Sequence, residues 1–370
     1  MRIAIDSTPL LLRSAGVKTY VHNWLRHLRR LAGNETVLSW PYLEPADAYS
    51  HEESVVGRVG TLARLALLHA INYSGLPLLD WLGPRVDVFH ASHQLRNPPR
   101  SCRLTATLYD MTCWLVPETH SPRNVRASRL FGERVMRRAD GLIAISENTR
   151  VDAVKILGLP AERIEVIYPG IAEAFFRITP EGARTAAVKY ALSRPYVLFV
   201  GTVEPRKNID ALLDAYAQLS PSLRAEFELV AAGPAGWGNP SALERLRSGE
   251  GGVRYLGYVP EEDLPGLTAG ATIFIYPSLY EGFGLPLGQA MAAGVPSITS
   301  NVSSMPEVAG DAALLVDPRS PSEIATAIER LLVSPDLRAT LARNASTRAR
   351  RYTWEACARQ SLDFFRGLCQ

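Results

Sequence analysis

At 370 residues the chain exceeds one compact core, and a usual domain size of about 150–200 residues points to two domains. Apolar residues make up 47% and charged residues 21%, which excludes a disordered chain. The net charge of +3, from 40 basic and 37 acidic side chains, is too even for nucleic-acid binding through bulk charge. Residues 1–175 hold 21 basic and 17 acidic side chains, so the slight positive bias lies in the first half. No stretch approaches the roughly 20 apolar residues that span a bilayer. Met1–Asp6 reads as a strand without the features of a signal peptide, and the four cysteines (Cys102, Cys113, Cys357, Cys369) form no CxxC pair. Together these predict a protein of the reducing cytoplasm without a zinc ribbon or disulfide framework.

Short apolar runs alternate with helical patterns, the mark of a parallel sheet covered on both faces. In the first half the predicted strands are Ile3–Asp6, Val37–Trp40, Val86–His90, Leu104–Tyr109, Leu142–Ser146 and Ile164–Tyr168. Residues 42–85 break the alternation and read as an insertion with one apolar helix near Leu62–Ile71. The stretch 177–194, rich in Ala, Gly and Pro, reads as a linker between domains 1–176 and 195–352. The second half predicts strands at Tyr196–Val200, Phe227–Ala231, Val253–Leu256, Thr272–Tyr276, Pro296–Thr299 and Ala313–Val316. Asn208 and Thr353 are predicted helix caps, and Ser320-Pro321-Ser322-Glu323 has the form of a capping box. The closing helix, 353–370, is expected to pack back on the first domain. The helix at Val21–Leu31 mixes Trp24, Leu25, Leu28 and Leu31 with basic residues. It fits either a peripheral contact with anionic lipid or a sheet-covering helix with a solvated face.

Two segments carry the chemistry. In Tyr276–Met291 a strand ends, Glu281-Gly282-Phe283-Gly284 follows, and a helix begins near Leu285. The two glycines admit close backbone approach, and a helix start favours an anion. Glu281 beside such an anion points to contact with hydroxyls or a developing cation. The spacing Gly282-x-Gly284-x-x-x-Gly288 is not the dinucleotide fingerprint, and glycine pairs also occur in turns of any α/β fold. In Phe199–Asn208, Arg206 and Lys207 stand at a helix mouth, where an anionic ligand between them or mere solvation explains the charge.

These segments, in this order, resemble the retaining glycosyltransferases of family 4. The likeness covers nearly the whole chain: Gly201–Asn208 is similar to the family's GTxxPRKN loop and Pro277–Pro296 to its PSxxEGFGLPxxEAMAxGxP signature. The runs Ser303–Gly310, Leu315–Pro318, Ala139–Ser146 and Ile164–Gly170 continue it. The resemblance implies the GT-B fold, two Rossmann-like doubly wound domains with the donor cleft between them. It also implies transfer of a hexose from a nucleoside-diphosphate sugar, GDP-mannose first, to a glycan or lipid-linked acceptor. No metal or other cofactor is implied, and no nucleic-acid partner.

By the same resemblance, Lys207 and Arg206 neutralise the diphosphate, with Gly201 and Thr202 lining the loop. The backbone at Gly282, Phe283, Gly284 and Leu285 holds donor hydroxyls and phosphate. Glu281 serves the transferred sugar, and Gln289, where the family commonly has glutamate, the ribose. The base is expected near Tyr258 and Val259; Tyr258 either stacks or packs into the core, and the core is favoured. Gly16, in the loop after the first strand, is the glycine left to approach the donor phosphate. On the acceptor side stand Tyr109 and Asp110 at the family's His-Asp position, and His90 and His93. Each of the two histidines is also an ordinary polar loop residue by type. Lys18 fits a phosphate contact or an exposed helix position, the second being favoured. Lys207, Glu281 and Asp110 form the candidate catalytic set. The departures at Thr202, Tyr109 and Gln289 leave room for a weakly active or non-catalytic partner protein as the competing function.

Overall fold

The computed structural model describes residues 1–13, 16–43, 51 and 53–370. The loop positions Ser14 and Ala15, and residues 44–50 and 52 of the insertion, lie outside the described residues. The chain divides into two compact units, Met1–Gly170 with Thr353–Gln370, and Ile171–Tyr352.

The first unit is built on β1 (Arg2–Asp6), β2 (Thr36–Trp40), β3 (Val88–Ala91), β4 (Arg103–Leu108), β5 (Gly141–Ala144) and β6 (Ile164–Val166), all parallel in the order β2-β1-β3-β4-β5-β6. Alternation along the strands sorts the two faces. Ala4, Phe89, Leu104, Ala106 and Leu142 join one apolar cluster with Leu68 and Ile71 of the helix Arg58–Tyr73. On the other face, Trp24 of the helix Gly16–Leu31 and Phe365 of the closing helix Trp354–Cys369 pack edge-to-face with His90, at 4.8 and 5.9 Å between ring centres. Trp24 Nε1 donates to Ser361 Oγ at 2.9 Å, which ties the closing helix to the first one. Gly141 makes this packing possible, because a Cβ there would sit 2.7 Å from the Phe364 ring. Thr353 caps the closing helix, its Oγ1 accepting from the Ala356 amide at 3.2 Å.

This packing decides between the two readings of one helix and corrects one expectation. Trp24, Leu25 and Leu28 are buried, so the apolar face of Val21–Leu31 covers the sheet and is not offered to lipid. Lys18 is fully buried, not exposed, and its Nζ donates to the Glu53 carbonyl at 2.7 Å. In the insertion the apolar helix extends over Arg58–Tyr73, and a short helix Leu78–Leu82 follows. No helix among the described residues is long and apolar enough to cross a membrane.

The second unit holds β7 (Tyr196–Val200), β8 (Glu228–Ala232), β9 (Val253–Gly257), β10 (Ile273–Tyr276), β11 (Ser297–Ser300) and β12 (Ala313–Val316), parallel in the order β12-β11-β10-β7-β8-β9. The chain builds outward from β7 to β9, then returns to pair β10 on the other side of β7, with Ile273 opposite Val197. The strand order therefore reverses between β7 and β10. Loops leaving two such neighbouring strands part in opposite directions and open a crevice at the carboxyl edge.

The stretch expected to be a linker is folded. Thr179 caps a helix, Pro180–Lys189, whose Ala186 is buried. That helix lies so close to the helix Leu264–Ala269 that a Cβ on Gly266 would stand 2.8 Å from the Gly182 carbonyl. Lys189 Nζ and Tyr190 Oη both reach Asp263 Oδ2 at 2.6 Å. Contact through small residues leaves little hydropathy signal, which is why the segment looked unpatterned. The division between units falls at Gly170–Ile171, a few residues before the expected boundary.

Candidate functional site

The carboxyl edge of the second unit gathers an ion cluster from the loops after β7 and β10. After β7 the chain turns through a one-turn 3-10 helix, Pro205–Lys207, with Asn208 in the left-handed region at φ 60° before the helix Ile209–Gln218. Arg206 and Lys207 thus end one short helix instead of crowding the start of the next, a position favourable to cations. Asn208 does not cap the following helix. Its Nδ2 donates instead to the carbonyls of Pro277 (3.0 Å) and Pro318 (2.6 Å), bracing three loops together. The Leu279 amide donates to the Arg206 carbonyl at 2.9 Å and seats the β10 loop on the β7 loop.

That β10 loop carries Glu281 into the cluster. Lys207 Nζ lies 2.6 Å from Glu281 Oε1, and an Arg206 terminal nitrogen lies 2.7 Å from Glu281 Oε2. Arg206 also pairs with Glu204 at 2.7 Å and donates to the Tyr280 carbonyl at 2.9 Å. Tyr276 Oη accepts from Lys207 Nζ and donates to Glu281 Oε1 at 3.0 Å. The Glu281 backbone is held from the loop after β11: its amide donates to Ser303 Oγ at 3.0 Å, and Ser304 Oγ donates to its carbonyl at 2.9 Å. Ser303 adopts φ 55°, an uncommon conformation for a serine and one that surrounding contacts must sustain.

Burial alone would raise the Glu281 carboxyl, but the Arg206 and Lys207 charges outweigh it and hold the pKa down to about 2. Burial lowers the Lys207 ammonium, with Arg206 pushing the same way and Glu281 and Glu204 opposing. Two cations thus face two anions in a nearly dry site, where an anionic ligand would have to compete with Glu281 for them. The sequence had set Glu281 against hydroxyls and the cations against an unpartnered anion. The fold instead brings all three charges into contact.

Gly284, at φ 85°, turns the chain into the helix Leu285–Ala292, and a Cβ there would overlap the Met305 side chain. Gly282, Phe283 and Gly284 are buried and Leu285 is half-buried. The Phe283 ring packs edge-on against Tyr352 at 5.1 Å, so its side chain is committed to packing. Gln289 is half-buried on the same helix, and its side chain makes no hydrogen bond among the described residues. Gly201 and Thr202 are half-buried at the end of β7. Val259 is buried, whereas Tyr258 is only half-buried, so the core assignment for Tyr258 does not hold.

The corresponding edge of the first unit is built differently. Asp6 ends β1 and is almost fully buried. One of its carboxylate oxygens accepts from the Thr8 amide (3.1 Å) and hydroxyl (2.6 Å), the other from the Ser92 amide (3.2 Å) and hydroxyl (2.6 Å). Burial raises its pKa, with these bonds opposing. Asp110 repeats the Asp-x-Thr turn on Thr112, at 3.0 and 2.6 Å, but is half-exposed. Tyr109 presents its ring to Tyr20 edge-on at 5.2 Å, and His93 lies 6.4 Å from it. His93 Nε2 is 2.6 Å from the Gln94 amide nitrogen. Gly16 begins its helix with open space where a Cβ would stand.

His90 is a core histidine, which corrects its place among the acceptor-side candidates. It is 3% exposed, with Nδ1 and Nε2 each 2.9 Å from the hydroxyls of Thr105 and Thr107, and burial lowers its pKa to about 3. Sequence reasoning missed Asp6, Tyr276 and Glu204. Only Asp6 carried a signal, as a lone carboxylate closing an apolar strand.

Residues 14–175 match the family Glycosyltransferase Family 4, and residues 186–348 match Glycosyl transferases group 1. The O-antigen chain mannosyltransferase B of Escherichia coli is 35% identical over 272 residues, which span 73% of this chain and 71% of that one. A D-inositol 3-phosphate glycosyltransferase of Nocardioides is 35% identical over 263 residues, 65% of this chain but only 56% of that relative. Among solved structures, sucrose-phosphate synthase from Thermosynechococcus elongatus covers the whole chain with a TM-score of 0.72 at 21% identity. Anabaena HepE in complex with UDP-glucose covers 98% with 0.69 at 20%. These likenesses show the fold, two Rossmann-like units of the GT-B class. The chain belongs to glycosyltransferase family 4 and is a transferase.

Proposed function

We propose that the chain transfers a mannosyl unit from GDP-mannose to a hydroxyl of a glycan or lipid-linked acceptor, with retention of anomeric configuration. The observation that carries this is the Arg206–Lys207–Glu281 cluster beside the glycine turn that opens the helix Leu285–Ala292. Cations and helix-start amides at one place suit a diphosphate, and a carboxylate among them suits sugar hydroxyls. The 35% identical relative, named a mannosyltransferase, supports the choice of donor.

In this scheme Lys207 and Arg206 take the diphosphate, the backbone from Gly282 to Leu285 assists, and Gln289 meets the ribose. Tyr258 and Val259 frame the base, and Gly201 and Thr202 line the loop. Gly16 of the first unit approaches the donor phosphate, and Asp110, Tyr109 and His93 serve the sugar and the acceptor. The bond from the anomeric carbon to the leaving phosphate breaks as the acceptor oxygen bonds the same face, and the acceptor proton passes to a phosphate oxygen. Negative charge grows on the leaving group, so preorganised cations and amides are the main catalytic device. No metal enters this scheme.

A thermal-shift panel of GDP-mannose, dTDP-rhamnose and UDP-glucose tests it, because a ligand of the native state raises the midpoint. GDP-mannose is expected to give the largest rise, about 3–6 °C at a hundredfold excess over its dissociation constant. A rise with UDP-glucose alone would replace the donor, and no rise with any member would overturn the scheme.

A further inference from the structure

Tyr276 looks, in the sequence, like nothing more than the end of a strand. In the structure it is completely buried, and the rings of Phe199 and Phe274 lie nearly parallel to its own, each 6.0 Å away. A phenylalanine would fill that space equally well, so the packing does not account for the hydroxyl. A buried hydroxyl costs free energy unless it is paired, and this one is paired with ions. It accepts from Lys207 Nζ and donates to Glu281 Oε1, while the Lys207 ammonium stands 4.9 Å from the ring centre. We infer that Tyr276 is a positioning residue of the donor site, whose hydroxyl sets where the Lys207 ammonium and the Glu281 carboxylate stand. This rests on the donor-site reading above.

The argument is one of competition. An entering diphosphate displaces Glu281 from Lys207 and Arg206, and Glu281 can turn to the sugar only if the ammonium stays where it is. Tyr276 gives Lys207 an acceptor that does not depend on Glu281 and is anchored in the packed sheet. Burial raises the phenol well above its ordinary pKa, so it keeps its proton and remains a donor to the carboxylate.

The test is Tyr276→Phe, read by calorimetric binding of GDP and UDP from pH 7 to 10 and by thermal midpoint. The midpoint should stay within about 2 °C of wild type, because the ring is retained. Nucleoside diphosphate should bind about 10- to 100-fold more weakly, the usual scale for one lost hydrogen bond to a charged group. The alkaline loss of binding should move down by about half to one pH unit, since an ammonium with one acceptor fewer gives up its proton more readily. Wild-type affinity with an unmoved alkaline limb would overturn the inference. So would a fall in midpoint and affinity together without movement of that limb, which marks a purely structural role. If the wild type itself binds neither GDP nor UDP, the donor-site reading fails, visibly and without the variant, and takes this inference with it.

Discussion

The two units bury titratable groups at the carboxyl edges of similar sheets and do opposite things with them. In the second unit Glu281 is surrounded by cations and is held ionised, its pKa down to about 2. In the first unit, burial without a counter-ion pushes groups toward their neutral forms. His90 falls to about 3 between two threonine hydroxyls, and Asp6 rises despite four hydrogen bonds. Burial penalises charge in both places, and the partner decides the outcome. A site that keeps its charges is suited to a charged ligand, and one that neutralises them is suited to holding loops in place.

The sharpest way to break the contrast is to remove one ion from the second unit. Lys207→Ala and Glu281→Ala should each reduce transfer by at least about three orders of magnitude. Glu281→Ala should also lower stability by about 3 kcal/mol, because it strips Arg206 and Lys207 of a shared buried counter-ion. Turnover assays and urea midpoints check both. Near-normal turnover in either variant would remove the cluster from the donor site.

Acid provides a second test that separates the two edges. Below pH 6.5 an unfolded histidine takes a proton that folded His90 refuses until about pH 3. Stability should therefore fall with acidification across that window, by up to about 1.4 kcal/mol per pH unit. Glu281 contributes in a different range. Its stabilisation is complete above the usual carboxylate value of about 4.3 and is lost as pH falls through about 2. Urea midpoints at pH 7, 5.5 and 4.5 should decline for the wild type and less steeply for His90→Asn, in which His51, His93 and His27, also lowered by burial, still contribute. An equal slope in the variant would show that His90 is not the group responsible.

The smallest expected effect sharpens the donor side alone. Gln289→Glu should tighten GDP-mannose binding about 3- to 10-fold, because a carboxylate accepts ribose hydroxyls more strongly than an amide does. Titration calorimetry reads this directly, and an unchanged dissociation constant would place Gln289 away from the ribose.

Much of this is legible in the sequence. All twelve strands among the described residues stand where apolar runs bounded by turn residues put them, with ends displaced by a few residues at most. Buried parallel strands are continuous apolar runs, which is a strong local signal. Lys207, Glu281 and the glycine turn were found from their order along the chain. The misses share a cause. Lys18 and His90 are polar residues on elements whose neighbours come from far along the chain. Residue type predicts exposure or ligand contact for them, whereas Glu53 and the pair Thr105 and Thr107 decide otherwise. The helix Pro180–Lys189 was hidden because it packs through alanine and glycine.

By itself the sequence determined the alternation of strands and helices, and hence two parallel sheets, because period and composition act over a few residues. It also determined which residue types lie at the strand ends. Only the tertiary structure decided which charges meet. The return of the chain to pair β10 with β7 brings Glu281, 74 residues from Lys207, to 2.6 Å from its ammonium. It likewise decided that Tyr276 stands between them. Electrostatic coupling and desolvation depend on distance in space and on what excludes water, and neither is written in local order along the chain.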